Sequence, residues 1–167
     1  MELRVVLTPL LYTLGAAATR TAVAAVHPVY YDHPLLPEAY EDPFQYMVGD
    51  DMLVRPVVTP IQTNGSGGTV PVVVWLPPTT GGWVEWNSSR LVPAGVPSVT
   101  VDAGLADLPV FVKSGAVLPL LPPTVRDVTN TSATVWAVFG GAVSGAGSRY
   151  AQPCAVGVVD RADTVVV

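Results

Sequence analysis

The first residues of the chain repeat apolar side chains at steps of three and four positions. The repeated residues are Leu3, Leu7, Leu10, Leu11 and Leu14. This spacing lines up one apolar stripe on a helix, so it predicts one helix from Leu3 to about Ala25. Pro9 is expected in the first turns of that helix or at a kink, because it lacks a backbone N–H.

A proline-rich stretch follows this predicted helix. Residues 27–43 contain four prolines, and each one drives the residue before it into an extended conformation. The pattern therefore predicts a connector over residues 27–46, with room for one helical turn around Glu38 to Tyr46.

From residue 52 onward the chain consists of short β-branched runs separated by turn residues. Their spacing of roughly 8–12 residues is typical of a sandwich. The runs cover residues 53–58, 69–76, 83–86, 98–101, 110–112, 117–118, 133–139 and 155–159. The predicted fold class is mainly β, an antiparallel β-sandwich preceded by one N-terminal helix. The predicted domains are 1–46 (helix and connector), 47–122 (sandwich) and 123–167 (a β-rich tail).

Composition narrows the possible partners. Half of the 167 residues are hydrophobic and 13% are charged, which favours a packed core over a disordered chain. The net charge is −5, and the eight Lys and Arg residues are scattered, so nucleic acid is excluded as a partner. No uninterrupted apolar run reaches the length of about 18 residues that indicates a membrane span.

Few residues suggest chemistry. Cys154 is the single cysteine, which excludes an internal disulfide and a cysteine zinc site, and we expect it to be buried. His27, Asp32 and His33 resemble metal ligands only superficially, because zinc sites require three or four ligands on a suitable template. We therefore predict no metal and no cofactor, and a structural role for Asp32.

The paired carboxylates are also interpreted as structural. Asp50 and Asp51 precede a strand, where neighbouring side chains point to opposite faces and do not converge on a substrate. Glu41 and Asp42 precede Pro43 and indicate a solvated turn or the start of a helix. No catalytic or substrate-binding residue is predicted in this chain.

Five segments, in order, resemble the C-terminal portion of family 31 glycoside hydrolases. Residues 4–14 (R-x-x-L-x-P-L-x-Y-T-L) are similar to the last helix of that family's barrel, and residues 27–34 to its R-P-L-F-x-x-x-P stretch. Residues 45–57 (Q-Y-M-V-G-D-D-M-L-V-R-P-V) are similar to Q-[FY]-M-x-G-x-x-L-L-V-A-P-V. Residues 74–77 with the following W-x-x-W pair, and residues 108–119 (L-P-V-F-V-K-S-G-A-V-L-P), complete the series. Leu10 replaces an aromatic residue of the family pattern, and His27 and Lys113 replace arginines.

The resemblance implies a last barrel helix followed by a proximal β-sandwich domain. It also implies retaining hydrolysis of α-glucosidic bonds, which needs two carboxyl groups about 5–5.5 Å apart. The family's W-x-D-M-N-E-type sequence, which carries the nucleophile, is absent from these residues. We therefore expect a catalytic (β/α)₈ barrel upstream as the partner of this chain, a carbohydrate as substrate of the full enzyme, and no activity of the chain alone. The leucine stripe is expected to be exposed where that barrel is missing.

Two alternatives stay open at this stage. The first concerns the N-terminus, where Arg4, the apolar stretch and Ala16 to Ala18 imitate a cleaved secretory signal, although the resemblance favours a barrel helix. The second is a stand-alone, non-catalytic sandwich that binds carbohydrate or protein, with exposed tryptophans stacking on sugar rings. Its candidate residues are Trp75, Trp83 and Trp86, which we expect instead to pack in the core.

Three Asn-x-Ser/Thr sequences are candidate N-glycosylation sites. They begin at Asn64, Asn87 and Asn130, each in a predicted loop. Together with the family resemblance they favour the secretory pathway: the endoplasmic reticulum, the lysosome or vacuole, or the exterior of the cell.

Overall fold

The computed structural model of the chain describes residues 2–61, 68–121, 135–139, 156–160 and 164–166. Asn64, Asn130 and Cys154, on which three of the expectations above rest, lie outside these ranges. Neither helix in the described part of the chain has the length and apolarity of a membrane span.

The N-terminal segment forms two helices where the leucine spacing predicts one. Helix α1 spans Glu2–Val6 and helix α2 spans Thr8–Thr21, with Pro9 in the first turn of α2. The missing N–H of Pro9 accounts for this interruption and confirms the predicted effect of the proline. Helix α2 ends earlier than predicted, because Ala22 adopts a left-handed conformation (φ 58°) and its N–H donates to the carbonyl oxygen of Ala18 at 3.0 Å.

The connector contains one strand and two 3₁₀ turns. Strand β1 (Val26–Pro28) precedes a 3₁₀ turn at Val29–Tyr31, and a second 3₁₀ turn occupies Pro37–Tyr40. The second turn corresponds to the helical turn expected near Glu38. Strand β1 was not predicted, because three residues ending in a proline carry no recognisable alternation.

Eleven further strands lie in the described ranges. Their bounds are β2 Tyr46–Val48, β3 Met52–Val54, β4 Val70–Trp75, β5 Trp83–Glu85, β6 Leu91–Val92, β7 Ser98–Ala103, β8 Val110–Lys113, β9 Val117–Leu120, β10 Val135–Phe139, β11 Val156–Asp160 and β12 Thr164–Val166. Every pairing between them is antiparallel. The predicted mainly-β, antiparallel fold is thereby confirmed, whereas β2, β6 and β12 were not predicted. Strand β3 stops before Pro56, although the β-branched run continues to Val58.

The strands form three sheets. The largest has the order β1-β2-β3-β8-β5-β6, a second has the order β12-β11-β10-β9, and β4 pairs with β7 in a third. Strand β1, from the predicted connector, is therefore an edge strand of the largest sheet, a position that tolerates Pro28. The predicted domain limits at residues 46/47 and 122/123 stay predictions.

The six-stranded sheet is buried on both faces. Its helix face carries Met52, Val54, Val84, Val110 and Val112, which pack with leucines of the two helices and with Leu118 and Phe139. Its far face carries Met47, Leu53, Trp83 and Phe111, which pack with strands β4 and β7 and with connector residues such as Val29. Along β3 and β8, side chains alternate between the two clusters, as the pleat requires. The sheet is therefore the middle layer of the domain.

Candidate interaction sites

The leucine stripe of the helices is directed towards the sheet. Leu7 and Leu10 are buried in the helix-face cluster, and Leu3, Leu11 and Leu14 pack partly against it. The expectation of an exposed leucine stripe was therefore wrong, because the sandwich itself supplies the apolar surface that buries these side chains. The exposed side of the helices carries Val5 and Tyr12, and Tyr12 is 80% exposed. Val5 lies in α1 and Tyr12 in α2, and neither belongs to the helix-face cluster.

The carboxylates noted in the sequence lie in separate places. Asp50 and Asp51 form the turn between β2 and β3, where the Asp51 carbonyl oxygen accepts the N–H of Lys113 at 2.9 Å. The Asp32 carboxylate lies 3.3 Å from Nε2 of the buried His27, whose Nδ1 is 3.1 Å from the Ala24 carbonyl oxygen. Asp32 thus ties the connector to the start of β1.

His33 is separate from this pair. Its ring is edge-on to Trp75 at a centroid distance of 6.2 Å, and its buried Nε2 has no hydrogen-bond partner among the described residues. Burial lowers the pKa of His33, with Asp32 opposing this shift and Lys113 reinforcing it. In the described ranges, no group of three or more His, Cys, Asp or Glu side chains could hold a metal ion.

The three tryptophans do not form a common surface. Trp83 is 2% exposed on the far face, and its Nε1 donates to the Pro77 carbonyl oxygen at 2.8 Å. Trp86 packs with the helix-face cluster, 5.5 Å from the Phe139 ring. Trp75 is half-buried beside the far-face cluster. A single stacking platform built from all three residues is therefore excluded.

An open cleft of about 490 Å³ lies between the connector and strand β4. Arg55 forms an ion pair with Asp42 on its wall, and the Arg55 guanidinium lies 5.6 Å from the Phe44 ring centroid. Asp42 Oδ1 also accepts the N–H of Phe44 at 3.0 Å. The interpretation of Asp42 as part of a solvated turn was therefore incomplete, because this carboxylate is mostly buried against a guanidinium.

One buried amide fixes the position of strand β4 beside this cleft. The side chain of Gln45 donates to the Trp75 carbonyl oxygen at 2.6 Å and accepts the Trp75 N–H at 3.1 Å. Neither Gln45 nor Arg55 was recognised from the sequence as part of a site. The available signal was Arg55 itself, which stands where the family pattern V-A-P-V has alanine.

The connector also exposes a tyrosine cluster that sequence reasoning missed. The rings of Tyr30 and Tyr40 stack at 4.9 Å, and Tyr31 meets Tyr30 edge-on at 5.4 Å. Tyr31 and Tyr40 are more than half exposed. The three tyrosines are irregularly spaced along the chain, so no local sequence pattern predicts that their rings meet.

Asn87 is the one candidate glycosylation site that falls within the described ranges. It is exposed in the turn after β5, next to Ser88, whose hydroxyl donates to the Glu85 carboxylate at 2.7 Å. The side chain of Asn87 is thus accessible to a modifying enzyme.

These features define a β-sandwich domain with its N-terminal helices packed on one face of the six-stranded sheet. A family model described as "Glycosyl hydrolase family 31 C-terminal domain" matches residues 22–118. The chain therefore belongs to glycoside hydrolase family 31 and contains its C-terminal domain, as the ordered motifs predicted.

Individual relatives agree with this assignment. The chain is 32% identical over 121 residues to the 1,3-alpha-isomaltosidase of Kribbella flavida, covering 72% of the chain and 15% of that enzyme. It is 29% identical over 154 residues to the alpha-glucosidase of Aspergillus niger, and this match covers 90% of the chain and 15% of that enzyme. The structure of a dextranase of this family from Flavobacterium johnsoniae, complexed with glucose, superposes on the chain with a TM-score of 0.69 at 30% sequence identity. The superposition covers 85% of the chain and 16% of the dextranase. The chain thus spans about 15% of the length of such relatives.

Proposed function

We propose that the chain is the structural C-terminal domain of an enzyme that hydrolyses α-glucosidic bonds with retention of configuration. The family match over residues 22–118 carries this proposal, and the relatives' activities supply the bond type. Retaining hydrolysis requires two carboxyl groups on either side of the scissile bond. In this chain Asp32 and Asp42 are paired with His27 and Arg55, and the W-x-D-M-N-E-type sequence that carries the family's nucleophile is absent from these residues. The catalytic pair belongs to a barrel upstream in the complete enzyme.

The exposed side of the helices is the surface that would contact this barrel. The leucine stripe already packs against the sheet. The barrel would therefore pack on the other side of the helices, which carries Val5 and Tyr12. Tyr12 belongs to the Y-T-L part of the motif and is 80% exposed. Contact with a barrel would bury it.

Two proteins test the enzymatic proposal: the 167-residue chain, and the product of the reading frame extended upstream. We expect the chain to leave p-nitrophenyl α-glucoside intact and the longer protein to hydrolyse it. Turnover by the chain alone, at a rate similar to that of the longer protein, would contradict the proposal.

The variant Tyr12→Ser tests the contact surface in the same two proteins. The chain alone should keep its melting temperature, because Tyr12 contacts mainly solvent, whereas the longer protein should lose thermal stability and activity. Thr100→Ser, at an exposed position of β7 on the far layer, serves as the control and should change neither protein. Equal effects of Tyr12→Ser on both proteins would assign Tyr12 to the sandwich rather than to the barrel contact.

We also propose that the enzyme enters the secretory pathway and carries a glycan at Asn87. The exposure of Asn87 in a turn supports this site. Material secreted from a eukaryotic host should lose mass on treatment with an N-glycosidase, and Asn87→Gln should remove the part of that loss due to this site. A digestion pattern identical for the wild-type protein and Asn87→Gln would exclude a glycan at Asn87.

A further inference from the structure

The cleft beside Arg55 has the size and construction of a ligand site. Its volume of about 490 Å³ lies within the range of roughly 300–1,000 Å³ that small-molecule sites occupy. One wall comes from the connector, with Glu38 and Phe44, and the other from strand β4, with Trp75. The Gln45 side chain joins the two walls through both backbone groups of Trp75, so the cleft is held open by a buried amide.

The charges of the lining decide what the cleft accepts. Glu38, Glu41 and Asp42 contribute three carboxylates, and Arg55, already paired with Asp42, contributes one guanidinium. This excess of negative charge repels anions such as phosphates. The carboxylates are also not grouped to hold a metal ion, since no such group occurs among the described residues. The lining therefore excludes anionic ligands, and its carboxylates and guanidinium can form hydrogen bonds with a neutral ligand that carries many hydroxyl groups.

Sugars can form hydrogen bonds with the charged groups of this lining and can also pack on its aromatic rings. Hydroxyl groups can donate to the carboxylates and accept from the guanidinium, using one atom type for both roles. The apolar C–H face of a pyranose ring can pack on the aromatic side chains of Phe44 or Trp75, as other apolar groups do on aromatic rings. Phe44 is 51% exposed and is available for such a contact.

The key residue of the cleft is a departure from the motif that residues 45–57 resemble. Arg55 replaces the alanine of the family pattern V-A-P-V, and alanine would leave both Asp42 and the Phe44 ring without their guanidinium contact. The cleft also lies at strand β4, whereas the helices cover the opposite face of the six-stranded sheet. A barrel packed on the helices would therefore leave this cleft open to solvent.

We propose that this cleft binds a short α-linked gluco-oligosaccharide. The exclusion of anionic ligands rests on the lining, and the choice of a sugar built from glucose units rests on the proposed function. Such a site would hold the enzyme on an α-glucan while the barrel hydrolyses it.

Titration of the 167-residue chain with isomaltotriose and maltotriose tests this proposal, with heat and tryptophan fluorescence as the two signals. We expect saturable binding in the millimolar range. Arg55→Ala, which restores the family residue, should weaken binding about tenfold, the effect of losing one hydrogen bond to a charged group. Phe44→Ala, at an exposed ring, should also weaken binding and is the second variant if Arg55→Ala fails to fold.

The matched control is Arg90→Ala, which removes an arginine that is 52% exposed and pairs with Glu85 outside the cleft. It should bind as the wild type does. The proposal is overturned if the wild type shows no saturable signal, if both cleft variants bind like the wild type, or if Arg90→Ala weakens binding equally. Binding is measured without the barrel, so an inactive longer protein would refute the enzymatic proposal and leave this result unaffected. Conversely, an active longer enzyme whose 167-residue chain binds no sugar would refute the cleft alone.

Discussion

The two faces of the six-stranded sheet are covered in different ways. On the helix face, Leu7 and Leu10 pack with valines, a methionine and the Phe139 ring, so this layer is held mainly by apolar side-chain contacts. On the far face, side-chain hydrogen bonds add to the packing: Gln45 bonds to Trp75, 30 positions away, and Trp83 bonds to Pro77, six positions away. Apolar contacts are non-directional and tolerate small shifts, whereas buried polar groups are costly when their partners are removed. The far face should therefore be the less tolerant of the two.

The largest effect should come from a core deletion on the far face. Phe111 is fully buried there, and Phe111→Ala should lower the free energy of unfolding by about 3–5 kcal/mol. Leu10→Ala, on the helix face, should fall near the lower end of the range of about 2–5 kcal/mol, because Leu10 lies at the rim of its cluster and is 8% exposed. Urea unfolding followed by fluorescence measures both. A larger loss for Leu10→Ala would reverse the order of the two faces.

A second test compares two glycines with positive φ, one beside the far face of the six-stranded sheet and one beside its helix face. A Cβ atom at Gly82 (φ 83°) would collide with the backbone carbonyl oxygen of Val92, whereas one at Gly49 (φ 58°) would meet only the Leu14 side chain. A backbone atom cannot move aside as a leucine methyl can. Gly82→Ala should therefore destabilise by about 2 kcal/mol more than Gly49→Ala, since overpacking costs about 1–3 kcal/mol.

Gly95→Ala is the control for backbone strain in that comparison. It has φ 87° but open space around the added Cβ, so it isolates the conformational cost. The melting temperatures of the three variants, measured by thermal unfolding, test this prediction. If Gly82→Ala and Gly95→Ala had the same melting temperature, close packing at Gly82 would not contribute to stability.

A third test removes the amide that bridges the connector and β4. Gln45→Leu keeps a similar volume but leaves the Trp75 N–H and carbonyl oxygen without this partner, and should cost about 2 kcal/mol. The exposed change Thr100→Val should stay within about 0.5 kcal/mol. A loss for Gln45→Leu no greater than that of Thr100→Val would show that the bridge does not stabilise the far face.

The smallest effect should be a pH dependence from His33. Burial lowers the pKa of this imidazole in the folded chain, so the unfolded chain binds the proton more readily. Stability from His33 is therefore fully present above the unfolded pKa of about 6.5, and is lost as the pH falls through that value towards the lower folded pKa. His33→Asn should flatten the dependence of the unfolding free energy on pH between about 7 and 5. An unchanged slope would show that the His33 pKa is the same in both states.

The sequence predicted the elements better than it predicted their contacts. The leucine spacing identified the apolar side of the helices, but periodicity does not say what covers an apolar stripe, and the sheet buries the leucines that were expected to be exposed. Strands rich in β-branched residues were found, because a run such as β4 carries a local signal. Strand β6, with two residues, carries too little signal to be recognised.

The cleft was missed for a related reason. Its ion pair joins Asp42 to Arg55, and its bridge joins Gln45 to Trp75, 30 positions apart. A contact across that separation exists only after the strands have paired, so no local pattern encodes it. The departure at Arg55 from the family motif was visible in the sequence, but its partner was not.

The position of β3 and β8 at the centre of the domain has a consequence for amide exchange. Each is hydrogen-bonded to a strand on both sides and covered on both faces by buried side chains such as those of Leu53 and Phe111. Their amide hydrogens should exchange with deuterated water only when the whole sheet opens, so their rates report the global free energy of unfolding. Amides near the exposed end of α2, close to Thr21, should exchange through local fraying of the helix. One exchange experiment therefore measures both the global unfolding of the sheet and the local fraying of α2.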